Sequence, residues 1–333
     1  MIKIYPKEIS KDKNDVIDLL KSQSINFEEN IDSTFGEYRN EKLIATASIY
    51  KNIIKCIAIE DGYKGGSIFN SLMTELLNEI DSKNFDGAFV YTKPIYENSF
   101  SAIRFKKIES VIPDLIFMQR SHNGFDKYLK NLEEKKVQAN TIGAVVLNAN
   151  PFTLGHRYLI EYALNNSDHL HIFVVSEDES YFKAKDRYNM VKLGVSDLKN
   201  ISLHSTENYI VSSATFPSYF IDENKSITKI HAKLDARIFK NYIAKTLDIN
   251  KRFVGEEPYD MATKVYNETM KETFLEDNDI DLIEIPRKKV CKDIISASKV
   301  RYLIKNNDIK KTKSFLPKTS YNYINELIKN SSI

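Results

Sequence analysis

The chain has 333 residues, with 48 basic and 46 acidic side chains and a formal net charge of +2. This near balance excludes the strongly basic class of nonspecific nucleic-acid binders. No apolar run approaches the length of a membrane-spanning helix, and the first residues lack a signal-peptide pattern. We therefore expect a soluble, cytoplasmic protein of about two domains that binds neither nucleic acid nor membrane.

The first 125 residues are predicted to alternate short strands and helices. The periodicity predicts, in chain order, a helix over 15–20, strands over 34–38, 43–50 and 52–60, a helix over 67–80, and strands over 88–91 and 110–118. A charged, helix-like connector over 126–140 is predicted to separate this domain from residues 141–333.

From residue 141 the pattern changes to alternating βα units. Strands are predicted over 142–147, 170–175, 201–205, 252–254 and 281–285, and helices over 156–165, 186–194, 232–245 and 261–273. The strands are nearly continuous apolar runs, which are typical of a parallel sheet covered on both faces. The overall class is therefore α/β.

Cys56 and Cys291 lie far apart in strand-like runs, and we interpret them as reduced, buried thiols.

The most informative segment is 148–156, which reads NANPFTLGH between a predicted strand and a predicted helix. The pattern places the backbone N–H of Gly155, the helix N-terminus and the imidazole of His156 at one point, where a polyphosphate is favoured. His156 can donate to an α-phosphate oxygen as charge builds on it, and Thr153 can hydrogen-bond the same group.

A second segment, 295–301, reads ISASKVR before a predicted helix. Ser296 and Ser298 can donate to β- and γ-phosphate oxygens at the helix N-terminus, and Lys299 and Arg301 add positive charge. Three alternatives remain open. The histidine can be an ordinary helix-surface residue, the serines can be simple N-caps, and the arginine can be a solvated charge.

Two loops follow other predicted strands. Gly255 and Glu256 come directly after the strand over 252–254, at the strand end where ligands bind in open α/β sheets, and we assign them to a contact with adenosine. In the first domain, residues 62–67 read GYKGGS between a strand and a helix. The backbone N–H groups of 64–67 can cradle the pyrophosphate of a coenzyme A-like molecule, or the glycines can serve only to turn the chain.

These motifs carry resemblances to known families. Residues 153–156 resemble the (His/Thr)-x-Gly-His signature of nucleotidyltransferases, and 295–301 resemble their Ile-Ser-Ser-Thr-x-x-Arg signature. The loop over 62–67 resembles the pyrophosphate loop of GNAT-type acyltransferases, with Gly62 at its Gln/Arg position. With the longer blocks over 148–159, 214–220, 254–258 and 285–287, the chain resembles the citrate lyase ligase family over nearly its whole length.

The resemblance implies a GNAT-like α+β domain over 1–125 and a Rossmann-like nucleotidyltransferase domain with a parallel sheet over 141–333. It implies an ATP-dependent ligase that converts acetate to acetyl-AMP with release of pyrophosphate. The acetyl group then passes to the thiol of a dephospho-CoA-derived group on the acyl-carrier subunit of citrate lyase, which activates the lyase. The first domain is interpreted as holding that CoA-like arm. Mg²⁺ is expected with ATP, although no dedicated carboxylate cluster stands out.

The site residues follow from these motifs. The assigned catalytic residues are Thr153, His156 and Lys299. The assigned cofactor-binding residues are Asn150, Phe152, Gly155, Gly255, Glu256, Ser296, Ser298 and Arg301, and in the first domain Lys64, Gly65, Gly66 and Ser67. Two other functions remain open: an adenylyltransferase acting on a phosphorylated small-molecule acceptor, and a non-catalytic nucleotide-sensing or scaffold protein.

Overall fold

The computed structural model describes residues 1–4, 11–210, 216–222, 224–256, 260–276, 280–286, 289–290 and 293–330. The chain divides into two compact units, residues 1–128 with 217–230, and residues 129–216 with 231–333. Within the described ranges, none of the helices combines the length and the apolar character needed to cross a membrane. The α/β class predicted from the sequence is confirmed.

The first unit is built on a seven-stranded mixed sheet in the order β1-β2-β3-β4-β5-β7-β6. Its strands are β1 Ile2–Ile4, β2 Ser33–Arg39, β3 Lys42–Tyr50, β4 Ile53–Ile59, β5 Ala88–Thr92, β6 Lys106–Val111 and β7 Leu115–Arg120. The helices up to residue 133 are α1 Lys11–Ser22, α2 Gly66–Ser82, α3 Glu97–Ala102 and α4 Gly124–Glu133. All strand pairs are antiparallel except β4 and β5, which run parallel.

Strands β4 and β5 separate along their length. The two strands pair only at Ile53 with Phe89 and at Ile54 with Val90. Beyond this point no ladder joins them, so a gap opens towards their carboxyl ends. Helix α2 buries Leu72, Leu76 and other apolar residues in the core beside this sheet. The fold therefore leaves an opening between two central strands.

One predicted strand of this unit was wrong. Residues 110–118 are not a single strand, because the chain turns at 112–114 and forms the antiparallel hairpin of β6 and β7. The turn is closed by the N–H of Asp114, which donates to the carbonyl of Val111. Pro113 lacks a backbone N–H and has a fixed φ, so it is suited to the turn and not to a strand interior.

The second unit contains a five-stranded, all-parallel sheet in the order β10-β9-β8-β11-β12. Its strands are β8 Ile142–Leu147, β9 His169–Val174, β10 Ile201–Ser205, β11 Lys251–Gly255 and β12 Asp281–Ile285. A further hairpin is formed by β13 Lys289–Val290 and β14 Asp293–Ile294. The predicted parallel sheet is thus confirmed.

The helices from residue 154 onward follow the predicted alternation, with additions. They are α5 Leu154–Asn165, α6 Ala184–Gly194, α7 Ile227–Ile238, α8 Lys245–Leu247, α9 Met261–Leu275, α10 Ala297–Lys305 and α11 Lys318–Lys329. The helix predicted over 232–245 begins earlier and changes to a π-helical turn at Phe239–Ala244. A 3₁₀ helix, Ile309–Ser314, and α11 were not predicted.

The strand order defines a switch point between β8 and β11. From β8 the chain moves outward through β9 to β10, whereas β11 and β12 extend the sheet on the other side. Open parallel sheets bind ligands beyond the carboxyl ends of the strands at such a switch point. Residues 148–156 follow β8 and lead into α5, and residues 255–256 lie at the carboxyl end of β11. The fold therefore brings the predicted motifs to one edge of the sheet.

Candidate functional site

A cavity of about 630 Å³ lies at the switch point of the second unit. It is lined by the loop after β8, the first turn of α5, the loop after β11 and the segment leading into α10. The lining includes Thr153, Gly155, His156, Gly255, Glu256, Ser296 and Ser298, all of which were predicted from the sequence. Two helix N-termini, those of α5 and α10, therefore open on the same space, which favours a polyanion.

Thr153 and His156 form a reciprocal cap at the start of α5. The Thr153 hydroxyl accepts from the backbone N–H of His156 at 3.4 Å, and the Thr153 backbone N–H donates to Nδ1 of His156 at 3.0 Å. Because Nδ1 accepts a hydrogen bond, it carries no proton, and the neutral imidazole has its proton on Nε2. The local structure of the cap thus selects the tautomer that can donate through Nε2.

Phe152 supports the imidazole from behind and does not line the cavity. Its side chain is fully buried and stacks on the His156 ring, with centroids 5.9 Å apart and planes 17° apart. Gly194, at the end of α6, makes room for it, since a Cβ at that position would lie 2.4 Å from Cε1 of Phe152. The structure therefore places Phe152 in the core as a backing for His156.

Arg301 joins the two predicted motifs. Its Nη1 donates to the carbonyl of Asn150 at 2.6 Å, and its Nη2 donates to the hydroxyl of Ser298 at 2.9 Å. Burial lowers the pKa of the Arg301 guanidinium from its ordinary value. Asn150 is itself buried, and its side-chain oxygen accepts from the N–H of Phe182. Asn150 therefore shapes the loop and lies outside the cavity lining.

The start of α10 shows which hydroxyl caps the helix. Ser296 is the N-cap, and its side chain accepts from the backbone N–H of Lys299 at 3.4 Å. Ser296 is thus an N-cap, as the alternative interpretation proposed, and it also lines the cavity. The ammonium group of Lys299 lies 4.9 Å from the ring centroid of Phe315 and is not part of the lining.

The main residue that sequence reasoning missed is Arg187 on α6. It is fully buried, and Nη1 donates to the carbonyl of Val175 at 2.8 Å and to both the carbonyl and the side-chain oxygen of Asn148, at 2.8 and 2.7 Å. Its Nε donates to the carbonyl of Phe182. Burial lowers the pKa of this guanidinium. Arg187 thus joins the ends of β8 and β9 below the site. An arginine on the apolar face of a helix was the available signal.

Two acidic residues face the cavity. Asp260 caps α9, and its carboxylate accepts from the hydroxyl of Thr263 at 2.7 Å and from the N–H of Ala262 at 3.0 Å. These hydrogen bonds, the one from Thr263 first, lower the pKa of Asp260. Glu256 lines the same space. Within the part of the chain that the structure describes, no group of three His, Cys, Asp or Glu side chains is placed to hold a metal ion.

The first unit has a cavity of its own, of about 340 Å³, in the gap between β4 and β5. Lys64, Gly65 and Gly66 line it at the N-terminus of α2, whereas Ser67 does not. A Cβ at Gly65 would meet no atom within 4 Å, and one at Gly66 would meet only Nδ2 of Asn70 at 3.9 Å. The packing of the chain itself therefore does not require these glycines, which leave open space at a helix N-terminus.

The structure describes one of the two cysteines. Cys56 is a free, buried thiol as predicted, and burial raises its pKa to about 12. Cys291 lies outside the described residues, as do 214–215, 257–258 and 287 of the family-like blocks. Tyr219, within the block over 214–220, is buried at the first cavity, and its hydroxyl donates to the carbonyl of Tyr91 at 3.4 Å.

Comparison with known proteins decides the family. Residues 142–324 match the family model described as citrate lyase ligase C-terminal domain. The chain is 37% identical over 310 residues to a [citrate [pro-3S]-lyase] ligase of Haemophilus influenzae, covering 92% of each chain. The chain belongs to the citrate lyase ligase family. It is also 36% identical to the Escherichia coli protein of that name, covering 97% of this chain and 93% of the relative.

Two solved structures are similar to part of this family member. Escherichia coli ElaA covers 36% of this chain and 97% of its own, at 17% identity and a TM-score of 0.31. Thermotoga maritima TmcAL, solved with alpha-thio ATP, covers 57% of this chain and 56% of its own, at 12% identity and a TM-score of 0.38. The membership in the family predicted from the sequence motifs is thus confirmed by its curated relatives, all of which are ligases.

Proposed function

We propose that this family member is an ATP-dependent ligase that forms acetyl-AMP from acetate and then acetylates the thiol of the acyl-carrier subunit of citrate lyase. The family relationship supports this substrate pair. The observation that carries the proposal is the cavity at the switch point, where His156 and the N-termini of α5 and α10 face one space.

The first half-reaction places the triphosphate of ATP against the two helix N-termini. A carboxylate oxygen of acetate attacks the α-phosphorus, the bond to the bridging oxygen breaks, and pyrophosphate leaves with that electron pair. Acetate is already an anion, so this step releases no proton and needs no general base. The site has only to position the reactants and to neutralise charge on the phosphoryl oxygens.

His156 and Thr153 supply that neutralisation at the α-phosphate. The Nε2 proton of the imidazole donates to a non-bridging oxygen as its charge increases, while Nδ1 is held by the backbone N–H of Thr153. Ser296 and Ser298 donate hydrogen bonds to the β- and γ-phosphates. Gly255 and Glu256 contact the nucleoside. Mg²⁺ entering with ATP would supply further positive charge, and Glu256 and Asp260, the carboxylates of the lining, would hold its water shell.

Lys299 and Arg301 act from outside the lining. Lys299 is held over Phe315 and contributes positive charge. Arg301 also contributes charge and, by donating to the Asn150 carbonyl and the Ser298 hydroxyl, keeps the two motifs in register. Asn150 and Phe152 complete this support from the core side.

In the second half-reaction the carrier thiol attacks the carbonyl carbon of acetyl-AMP. The carbon–oxygen bond to AMP breaks, the thiol proton is released, and a thioester and AMP result. We assign the cavity of the first unit to the CoA-like arm, with its phosphate at Lys64, Gly65 and Gly66 of the lining, while Ser67 follows them in α2 outside the lining. The open space over the two glycines and the positive end of α2 support this assignment.

The experiment that tests the proposed function is pyrophosphate release from ATP, with acetate or with phosphorylated acceptors, in the presence and absence of deacetylated citrate lyase. We expect release that depends on acetate and recovery of lyase activity when the lyase is present. Release that depends on a phosphorylated acceptor and ignores acetate would replace this function by that of an adenylyltransferase.

A further inference from the structure

Positive charge is concentrated in one short stretch of the second unit. Between Lys299 and Lys318 the sequence has seven basic side chains and a single acidic one, Asp308. Because the whole chain carries only +2, the remainder of the chain is net negative. The stretch is therefore a local feature, invisible in the overall composition.

In the 3₁₀ helix Ile309–Ser314, the side chains lie on different faces of the helix. In a 3₁₀ helix the side chains at i and i+3 lie above one another. Ile309 and Thr312 form one column, and Thr312 is fully buried, so this column faces inward. Lys310 and Lys313 form another column and are exposed. Lys318, at the start of α11, is exposed as well. We call Lys310, Lys313 and Lys318 the basic ridge.

The ridge is anchored beside the adenylation site without being part of it. Phe315, directly after the 3₁₀ helix, is buried and accepts through its carbonyl from the backbone N–H of Leu154 at 2.9 Å. Leu154 is the first residue of α5, two residues before His156. None of the ridge lysines lines the nucleotide cavity. Their charges therefore lie near the site proposed for acetyl-AMP formation, but outside the cavity proposed for the phosphates.

We propose that the basic ridge docks an acidic surface of the protein that carries the acceptor thiol. This inference rests on the proposed function. Complementary charges raise the rate of encounter and fix the orientation of the partner, and exposed lysines outside a site can act in this way. A nucleic acid fits less well, because the rest of the chain is net negative and would repel a long polyanion.

The test reverses the charge of the ridge in the full chain. The variant is Lys310→Glu, Lys313→Glu and Lys318→Glu together. Its matched control is Lys192→Glu, Lys199→Glu and Lys271→Glu, three exposed lysines elsewhere in the second unit. Two activities are measured at low and at physiological salt. The first is acetate-dependent ATP–pyrophosphate exchange without lyase, and the second is reactivation of deacetylated citrate lyase as a function of its concentration.

We expect the ridge variant to raise the KM for deacetylated lyase roughly tenfold or more at low salt. Its exchange rate is expected to equal that of the wild type, and the salt dependence of the lyase KM is expected to be lost. The control variant is expected to match the wild type in both activities. An unchanged KM for the lyase, or an equal rise in the control, would overturn the proposal.

Three other outcomes are separable. A loss of exchange activity in the ridge variant would assign the lysines to the nucleotide and overturn the docking role. Retention of bulk tRNA by the wild type at physiological salt, lost in the ridge variant while the lyase KM is unchanged, would assign the surface to nucleic acid instead. Absence of acetate-dependent exchange in the wild type would overturn the proposed function itself, before the ridge is tested.

Discussion

At the scale of single residues, the site depends on one imidazole whose tautomer is set by its own helix cap. Thr153 and His156 satisfy each other's backbone and side-chain groups, which leaves Nε2 as the protonated nitrogen. The residue type was readable from the sequence, because a histidine three positions after a threonine at a helix start is a recognisable pattern. The tautomer was not readable, because it depends on a hydrogen bond that only the folded cap provides.

The first prediction concerns that imidazole. His156→Ala removes the proposed donor to the α-phosphate, and we expect acetate-dependent pyrophosphate release to fall by a factor of 10² to 10³, about 3 kcal/mol of barrier. Circular dichroism should show an unchanged fold, since the side chain is only half-buried. The control is His122→Ala, an exposed histidine in the first unit, which should keep full activity. Near wild-type release by His156→Ala would remove this residue from the mechanism.

The second prediction separates charge from geometry at Arg301. Arg301→Ala should mainly raise the KM for ATP, because the charge of Arg301 and its hold on Ser298 act on phosphates that are present in the ground state. Arg301→Lys keeps a charge but loses the forked contact to Asn150 and Ser298, so it should behave more like the alanine variant than like the wild type. Steady-state kinetics with varied ATP checks both. A fall in kcat at an unchanged KM would instead place the residue on the transition state.

At the scale of elements, the site is the meeting point of strand ends and helix starts. The strands and helices of the second unit were predictable because apolar runs alternate with helical spacing, and the strands over 201–205 and 281–285 were predicted with their observed bounds. The π-helical turn at Phe239–Ala244 was not predictable, because it depends on contacts made by the folded chain. One of these contacts is made by the buried Lys240, whose ammonium donates to the carbonyl of Thr273.

The third prediction concerns the buried guanidinium under the site. Arg187→Met leaves the carbonyls of Asn148, Val175 and Phe182 without this donor. Since a buried acceptor left unsatisfied costs about 1–3 kcal/mol, we expect the free energy of unfolding to fall by about 3 kcal/mol and adenylation to weaken. Urea denaturation measures the first effect. Lys192→Met, an exposed change on the same helix, is the control, and equal stability of the two variants would contradict the assignment.

At the scale of the whole molecule, each of the two compact units contains one of the two cavities described above. The change of pattern near residue 141 was visible in the sequence. The membership of residues 217–230 in the first unit was not, because that segment is far from the unit in the chain. The buried tyrosine at position 219 and its contact with Tyr91 become visible only when the chain is folded.

The fourth prediction concerns the cavity of the first unit, which we propose for the CoA-like arm. Gly65→Arg with Gly66→Arg fills the open space at the start of α2 without a backbone clash. We expect acetate-dependent pyrophosphate exchange and thermal stability to match the wild type, and the KM for deacetylated lyase to rise. Gly62→Ala, where a Cβ also meets nothing but which is outside the cavity lining, is the control. An unchanged KM would show that the arm does not bind here.

The fifth prediction concerns pH. His171 and His204 are buried on adjacent strands, with Nδ1 of the first 2.9 Å from Nε2 of the second. Burial, aided by the neighbouring imidazoles and Lys135, lowers the pKa of each to about 3. In the unfolded chain these two imidazoles bind protons below about pH 6.5, whereas in the folded chain they stay neutral until about pH 3. Their contribution to the free energy of unfolding is therefore full above pH 6.5 and is lost as the pH drops towards 3.

Urea denaturation at pH 7 and pH 5 measures that dependence. We expect the wild type to lose stability on going to pH 5, and the double variant His171→Leu with His204→Leu to lose clearly less. The difference between the two pH values is the readout, so a lower overall stability of the variant does not disturb the comparison. Equal losses in the two proteins would show that this pair does not control the acid response.

The central claim is that acetate attacks the α-phosphorus of ATP, and isotope transfer tests it most directly. Acetate labelled with ¹⁸O in both carboxylate oxygens is incubated with ATP, the protein and deacetylated citrate lyase, and the products are analysed by mass spectrometry. We predict one labelled oxygen in AMP and none in pyrophosphate, because the carbon–oxygen bond of acetyl-AMP breaks when the thiol attacks. Label in inorganic phosphate with ADP as the co-product, or unlabelled AMP, would contradict the account.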